Sequence, residues 1–119
     1  MTENQQPQNR LLEQLIAFRD ERDWEQFHTP KNLAMALAAE AGELLENFQW
    51  LTEEQSRSPA AGTLAAASDE IADVLLYLVR LSDKLGIDPV AAANRKLLAN
   101  AEKYPVDKAR GNSKKYTEL

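Results

Sequence analysis

Two pairs of carboxylates stand three residues apart in this sequence, Glu40-x-x-Glu43 and Glu70-x-x-Asp73. Helical residues at that spacing project side by side. Four such groups brought together repel one another, and a divalent cation relieves the repulsion. Ligands made only of oxygen suit Mg²⁺, with Mn²⁺ the alternative. Di-iron bundles use Glu-x-x-His pairs, and neither pair here contains histidine. The chain has no cysteine and one histidine, His28. That excludes a disulfide scaffold, a thiolate zinc site, a cysteine nucleophile and a multi-histidine site within one chain.

The elements that must position these groups follow from spacing. On a helical wheel with Leu33 at the origin, Leu37, Leu44, Phe48 and Leu51 fall within about 60°. Glu40 falls inside the same stripe, about 20° to the other side, and Glu43 at its edge. A carboxylate in an apolar stripe is costly unless something pairs with it. Either Glu40 meets a buried Arg, or it holds a cation. Between Ile71 and Leu81, nine of eleven residues are apolar or Tyr, the exceptions being Asp73 and Arg80. A helix apolar nearly all round is buried nearly all round, and a chain this short needs a second subunit to cover it. A solvated face through Asp69, Asp73 and Arg80 is the other arrangement these positions permit.

Composition agrees with an all-α fold. Ala and Leu number 35, against 12 for Val, Ile and Thr together, and the first group favours helices. The reading is a four-helix-bundle-type subunit that packs into a dimer or a dimer of dimers. The first helix spans Leu11 to about Arg22, followed by an aromatic-rich connection, Asp23 to His28. The second opens on Thr29-Pro30, a cap followed by a proline at the first helical position, and runs to about Leu51. Thr52 to Thr63 reads as a loop. The third runs from about Leu64 to Leu85 and stops at Gly86. Asp88-Pro89 opens the fourth, which ends before Pro105. At 119 residues this is one domain, with its core at about 8–104 and a basic, irregular arm at 105–119.

The formal charge of −5 argues against a general grip on nucleic-acid polymers. No apolar run approaches the ~18 residues of a membrane span. The polar start, Met1 to Pro7, lacks a signal core, so a cytoplasmic protein is expected. The charge is unevenly placed. Residues 1–102 carry nine basic and seventeen acidic groups, net −8, and residues 103–119 carry five against two, net +3. An acidic metal site with a basic arm suits a polyphosphate, although a basic tail can equally be a solvated end. Lys96, Asn100 and Lys103 share a helical face that is either a phosphate contact or a wet surface. Trp24, Phe27, His28 and Trp50 flank the second helix. Such rings serve in a core, or stack on a nucleobase.

With these residues in place the sequence resembles the all-α nucleoside triphosphate pyrophosphohydrolases, the MazG-like group, and within it the deoxycytidine triphosphate branch. The resemblance spans about Leu11 to Thr117. It rests on Glu40-Ala-Gly-Glu43 and Glu70-Ile-Ala-Asp73, and more specifically on ERDWEQFH (Glu21 to His28), FQW (Phe48 to Trp50) and KYPVDKARGNSKKYT (Lys103 to Thr117). It implies that Glu40, Glu43, Glu70 and Asp73 bind Mg²⁺. It implies that Trp24, Glu25, Gln26, Phe27, His28, Trp50 and Tyr77 line a pocket for base and sugar. Lys96, Asn100, Lys103, Arg110, Lys115 and Tyr116 are then the phosphate contacts, and the assembly a homodimer or homotetramer. Leu15 departs from the pattern, standing where the animal members of that branch carry a histidine.

The reaction implied is hydrolysis of a nucleoside triphosphate, dCTP or a modified dCTP, to monophosphate and pyrophosphate. Glu40 and Glu43 are the catalytic carboxylates, with Glu43 orienting or deprotonating the attacking water. Two rivals differ in class. A non-catalytic nucleotide or metal sensor would bind without turnover. A helical adaptor would gain no stability from Mg²⁺ and nucleotide.

Overall fold

A computed structural model describes residues 5–119. Met1 to Asn4, on which the expectation of a leaderless start partly rests, lie outside the described residues. The described residues are helical, with no strand among them. The elements are α1 (Gln5–Glu21), α2 (Pro30–Glu46), α3 (Glu53–Arg57), α4 (Ala61–Lys84), α5 (Pro89–Lys103) and α6 (Val106–Ala109), with 3₁₀ turns at Glu25–Phe27 and Tyr116–Glu118. No helix among the described residues is long and apolar enough to cross a membrane. The chain divides into two compact units, one ending at Gly86 and one running from Ile87 to Leu119.

In the first unit α2 packs along α4, and α1 adds a smaller contact with α4. Leu33, Ala67 and Val79 are its buried apolar residues, Leu33 fully so. The junction between α1 and α2 is tightly built. Asp23 takes a left-handed φ of 54°. Around it Trp24 N–H donates to Arg19 C=O (3.0 Å) and Asp23 N–H to Asp20 C=O (3.2 Å), the two bonds that close a helix with a left-handed residue. This turn sets Trp24 edge-on against Phe18, with ring centres 5.8 Å apart. Asn32 then ties the 3₁₀ turn to α2, donating from Nδ2 to Phe27 C=O (2.9 Å). Thr29 Oγ1 accepts from Asn32 N–H (3.2 Å), with Pro30 at the first helical position. Thr29→Ala should therefore lower unfolding free energy by about 1 kcal/mol, read from a urea titration; an unchanged midpoint would refute the cap.

Four boundaries differ from the sequence expectation, the first being that α1 already starts at Gln5 rather than Leu11. The second helix stops at Glu46 rather than Leu51. Asn47 Nδ2 takes the carbonyl of Glu43 (3.2 Å), the side-chain competition that makes Asn a poor helix interior. Phe48 and Leu51 therefore leave the stripe, and the chain continues in turns, Leu51 N–H donating to Phe48 C=O (2.9 Å). The expected loop at 52–63 contains α3, started by reciprocal bonds between Thr52 and Gln55 (3.1 and 2.9 Å), a capping box. The third expected helix, α4, starts at Ala61 and ends at Lys84, and Gly86 takes the positive φ of 66° that releases the chain.

The α4 helix is not buried all round within one chain. Leu64, Ile71, Leu75, Leu78 and Leu85 are between 39% and 59% exposed. They lie on the side of α4 facing away from Asp73, at about 120–200° from it on the wheel.

The second unit holds α5, whose first turn is capped by Asp88 Oδ1 accepting from Val90 and Ala91 N–H (3.0 and 3.1 Å). The expected irregular arm is partly ordered: it contains α6 and the final 3₁₀ turn. Tyr116 meets Tyr104 edge-on at 6.1 Å, and the Lys103 ammonium lies 4.9 Å from the Tyr116 ring centre.

Candidate active site

The two helices that pack most closely carry the two carboxylate pairs. Glu40 and Glu43 on α2 and Glu70 on α4 each place a carboxylate oxygen within 4.8 Å of the others. Glu40 Oε2 and Glu70 Oε2 are buried with no hydrogen-bond partner. Ionised carboxylates accept and cannot donate, so nothing within the cluster satisfies them. The donor set is all oxygen, and the orphaned buried oxygens are of the type a hard divalent cation takes. The residues present therefore fit such an ion. Asp73 lies outside this trio. It lines the adjoining cavity with Glu40 and adds to the negative charge around it.

Repulsion shows in the acid strengths. Glu40 is pushed above the ordinary carboxylate range, first by the adjoining Glu70 carboxyl and then by desolvation. Glu43 is pushed up chiefly by Glu40. A carboxyl whose folded pKa exceeds its unfolded one stabilises the folded chain at low pH and loses that contribution as pH rises. Glu40→Gln removes one of the crowded charges. In EDTA, the variant should melt above wild type at about pH 7.5, with the gap closing toward about pH 5. A gap that widened on acidification, in a fluorimetric melt, would contradict the crowding.

The cavity, about 240 Å³, is lined by Leu15, Phe18, Arg19, Trp24, His28, Glu40, Asp73, Leu76, Tyr77 and Arg80. One wall is acidic and continuous with the trio, the others aromatic, aliphatic and basic. Tyr77 and Arg80 follow Asp73 by one and two turns of α4, so all three share a face. His28 is shifted down, first by burial and then by Arg80 and Arg19. A neutral imidazole offers one donor and one acceptor, and Nδ1 is buried without a partner.

Of the residues expected to line a base pocket, Trp24, His28 and Tyr77 line this cavity. Glu25 is instead clamped by the Arg19 guanidinium and the Lys84 ammonium, with Arg80 Nη2 at 3.6 Å. Its carboxyl is held below the usual range, first by Lys84. Gln26 Nε2 donates back to Asp23 C=O (3.1 Å). Phe27 is exposed, and Trp50 is 87% exposed in the turn after α2; neither lines the cavity. Lys96, Asn100, Lys103, Arg110, Lys115 and Tyr116 belong to the second unit.

Sequence reasoning did not single out Arg19, Arg80, Phe18 or Leu76 as site residues. Arg80 is 3% exposed, which overturns the solvated face through Asp69, Asp73 and Arg80. A buried arginine does exist, but its partners are Asp83 (3.1 Å) and Glu25, not Glu40.

Comparison with known proteins places this geometry. A sequence model of the MazG-like family matches residues 35–119, which include both carboxylate pairs. Human dCTP pyrophosphatase 1 is 47% identical over 106 residues, covering 86% of this chain and 61% of that protein. The bovine dCTP pyrophosphatase 1 is 45% identical over 106 residues, with 86% and 62% covered. The chain thus spans about three-fifths of the length of these curated relatives. The crystal structure of a pyrophosphatase from Archaeoglobus fulgidus superposes with a TM-score of 0.77 at 43% identity, covering 82% of this chain and 91% of that one. The shared fold, the identity across most of the chain and the match over both carboxylate pairs together mean that the chain belongs to the MazG-like family.

Proposed function

We propose that this chain hydrolyses a nucleoside triphosphate, dCTP or a modified dCTP, to the monophosphate and pyrophosphate, as a magnesium-dependent enzyme that clears such nucleotides from the pool. The observation that carries this is the carboxylate trio at the edge of an aromatic-lined cavity. The names of the curated relatives point to the same substrate.

Glu40, Glu43 and Glu70 would hold the ion, with Asp73 completing the acidic wall. When bound, Mg²⁺ neutralises the triphosphate and raises the acidity of a nearby water. Glu43 is exposed while Glu40 is half-buried, so Glu43 is the carboxylate placed to orient that water or take its proton. Trp24 and Tyr77 supply flat faces for a base, and Leu15, Phe18 and Leu76 keep water from its apolar edges. No covalent intermediate is required.

The apolar stripe on the outer side of α4 is where a second copy would pack, giving a dimer or a dimer of dimers. Four large apolar side chains left exposed along α4, with Leu85 just past its end, form a patch of the kind monomers rarely show.

Steady-state pyrophosphate release from a panel of nucleoside triphosphates with Mg²⁺ tests the reading. dCTP should give the highest kcat/KM. Release from none of the panel would overturn the enzyme assignment.

A further inference from the structure

One group lining the cavity has no place in the reaction as derived. Arg80 is 3% exposed, and its guanidinium is anchored on one side by Nη1 donating to Asp83 Oδ2 at 3.1 Å. The other side of the guanidinium, formed by Nε and Nη2, is buried with no hydrogen-bond partner. The nearest acidic group to it, Glu25, stands 3.6 Å from Nη2, too far for a hydrogen bond, and is held by Arg19 and Lys84 instead. Nε and Nη2 form the side-on fork of an arginine, two parallel N–H groups matched to two adjacent acceptors. A buried charged fork left without acceptors is costly, and this one belongs to a residue that lines the cavity.

Its position says what it meets. Arg80 follows Asp73 by seven residues, about 10.5 Å along the helix axis, with Tyr77 between them on the same face. On the reading proposed above, the phosphates lie at the acidic wall of Glu40 and Asp73. The part of the substrate two helical turns away, past Tyr77, is then the base. Cytosine presents two adjacent acceptors there, O2 and N3, followed by the exocyclic amine. Thymine and uracil carry a hydrogen on N3, which would face the fork donor to donor. His28, whose buried Nδ1 has no hydrogen-bond partner, lines the same cavity and can serve the amine. From this geometry, and resting on the function proposed above, we propose that Arg80 is the residue that reads the base, its side-on fork pairing with O2 and N3 of cytosine and rejecting uracil and thymine.

The test pairs a change in the protein with a change in the base. Specificity constants for dCTP, dTTP and 3-deaza-dCTP, which lacks the N3 acceptor, are measured for wild type and Arg80→Lys. Dissociation constants of the corresponding monophosphates are measured by calorimetry. Wild type should prefer dCTP over both others by at least about tenfold, the discrimination a bidentate pair supplies. Arg80→Lys, which keeps the charge and loses the fork, should lower dCTP by a similar factor and leave 3-deaza-dCTP nearly unchanged. Loss of all three by one common factor would show a merely structural role and overturn the proposal. So would a wild type that treats 3-deaza-dCTP like dCTP, an arm that needs no variant should Arg80→Lys fail to fold. If wild type hydrolyses none of the nucleotides, the proposed function falls. The monophosphate affinities then decide the proposal: equal affinity for dCMP and 3-deaza-dCMP overturns it, and a tenfold preference for dCMP upholds the contact.

Discussion

Glu40→Ala should lower kcat/KM for dCTP by at least about a thousandfold, a loss of about 4 kcal/mol in transition-state stabilisation. The helical signal should survive. Glu40 is the member of the trio that touches everything else: it contacts Glu70 and Glu43, neighbours Asp73, and lines the cavity. Removing it takes away one ligand of the ion and opens the wall between ion and substrate. It does not remove a structural ion pair, because no cation among the described residues pairs with it; its charged neighbours are acidic. The side chain's loss should therefore leave the apo fold as stable as before, or more so, since it relieves like-charge crowding. That combination separates a catalytic carboxylate from a structural one. Calorimetric Mg²⁺ binding should weaken in parallel. Retained turnover would remove Glu40 from the metal site, and a collapsed circular dichroism spectrum would show that its role is in the fold.

The second large effect concerns assembly. Leu78→Asp combined with Ile71→Asp should convert the protein from a multiple of the chain mass to a single chain mass in light scattering. Both residues sit on the outer stripe of α4, away from the Asp73 face. In a monomer these substitutions at partly exposed positions leave the chain folded. In a helix-to-helix interface they bury two unpaired charges, which association cannot tolerate. Stability and assembly thus give opposite answers for the two arrangements. A wild type that already runs at one chain mass would end the dimer reading.

Much of this was legible in sequence because the signals are local. Thr29-Pro30 and Asp88-Pro89 start helices through bonds that span two or three residues, and Gly86 ends one through its own backbone. Glu40 stood out because its neighbours on the wheel are apolar, and the structure places it between α2 and α4 beside Glu70. What was not legible depends on distant parts of the chain. The end of α2 turns on whether the Asn47 side chain donates to the Glu43 carbonyl or lets the helix run, a balance the periodicity of Leu44, Phe48 and Leu51 conceals. Trp50 follows from that one event, leaving the helix for an exposed turn. On its helix alone Arg80 reads either as an exception in a buried run or as part of a solvated face. Its burial requires the Asp23 turn to bring Glu25 and Trp24 over α4, contacts more than fifty residues away in sequence. The Asp73 face of α4 lines the cavity and its outer face carries the apolar stripe, so a near-continuous apolar run hides two surfaces of different chemistry.

The central claim is that the carboxylates of α2 and α4 direct hydrolysis of a nucleoside triphosphate to monophosphate and pyrophosphate. Phosphorus NMR of dCTP incubated with the protein and Mg²⁺ tests it most directly. The resonances of dCTP should give way to those of dCMP and pyrophosphate in equal amounts, and should not change in EDTA or with Glu40→Gln. Intact dCTP, or dCDP with inorganic phosphate, would contradict it.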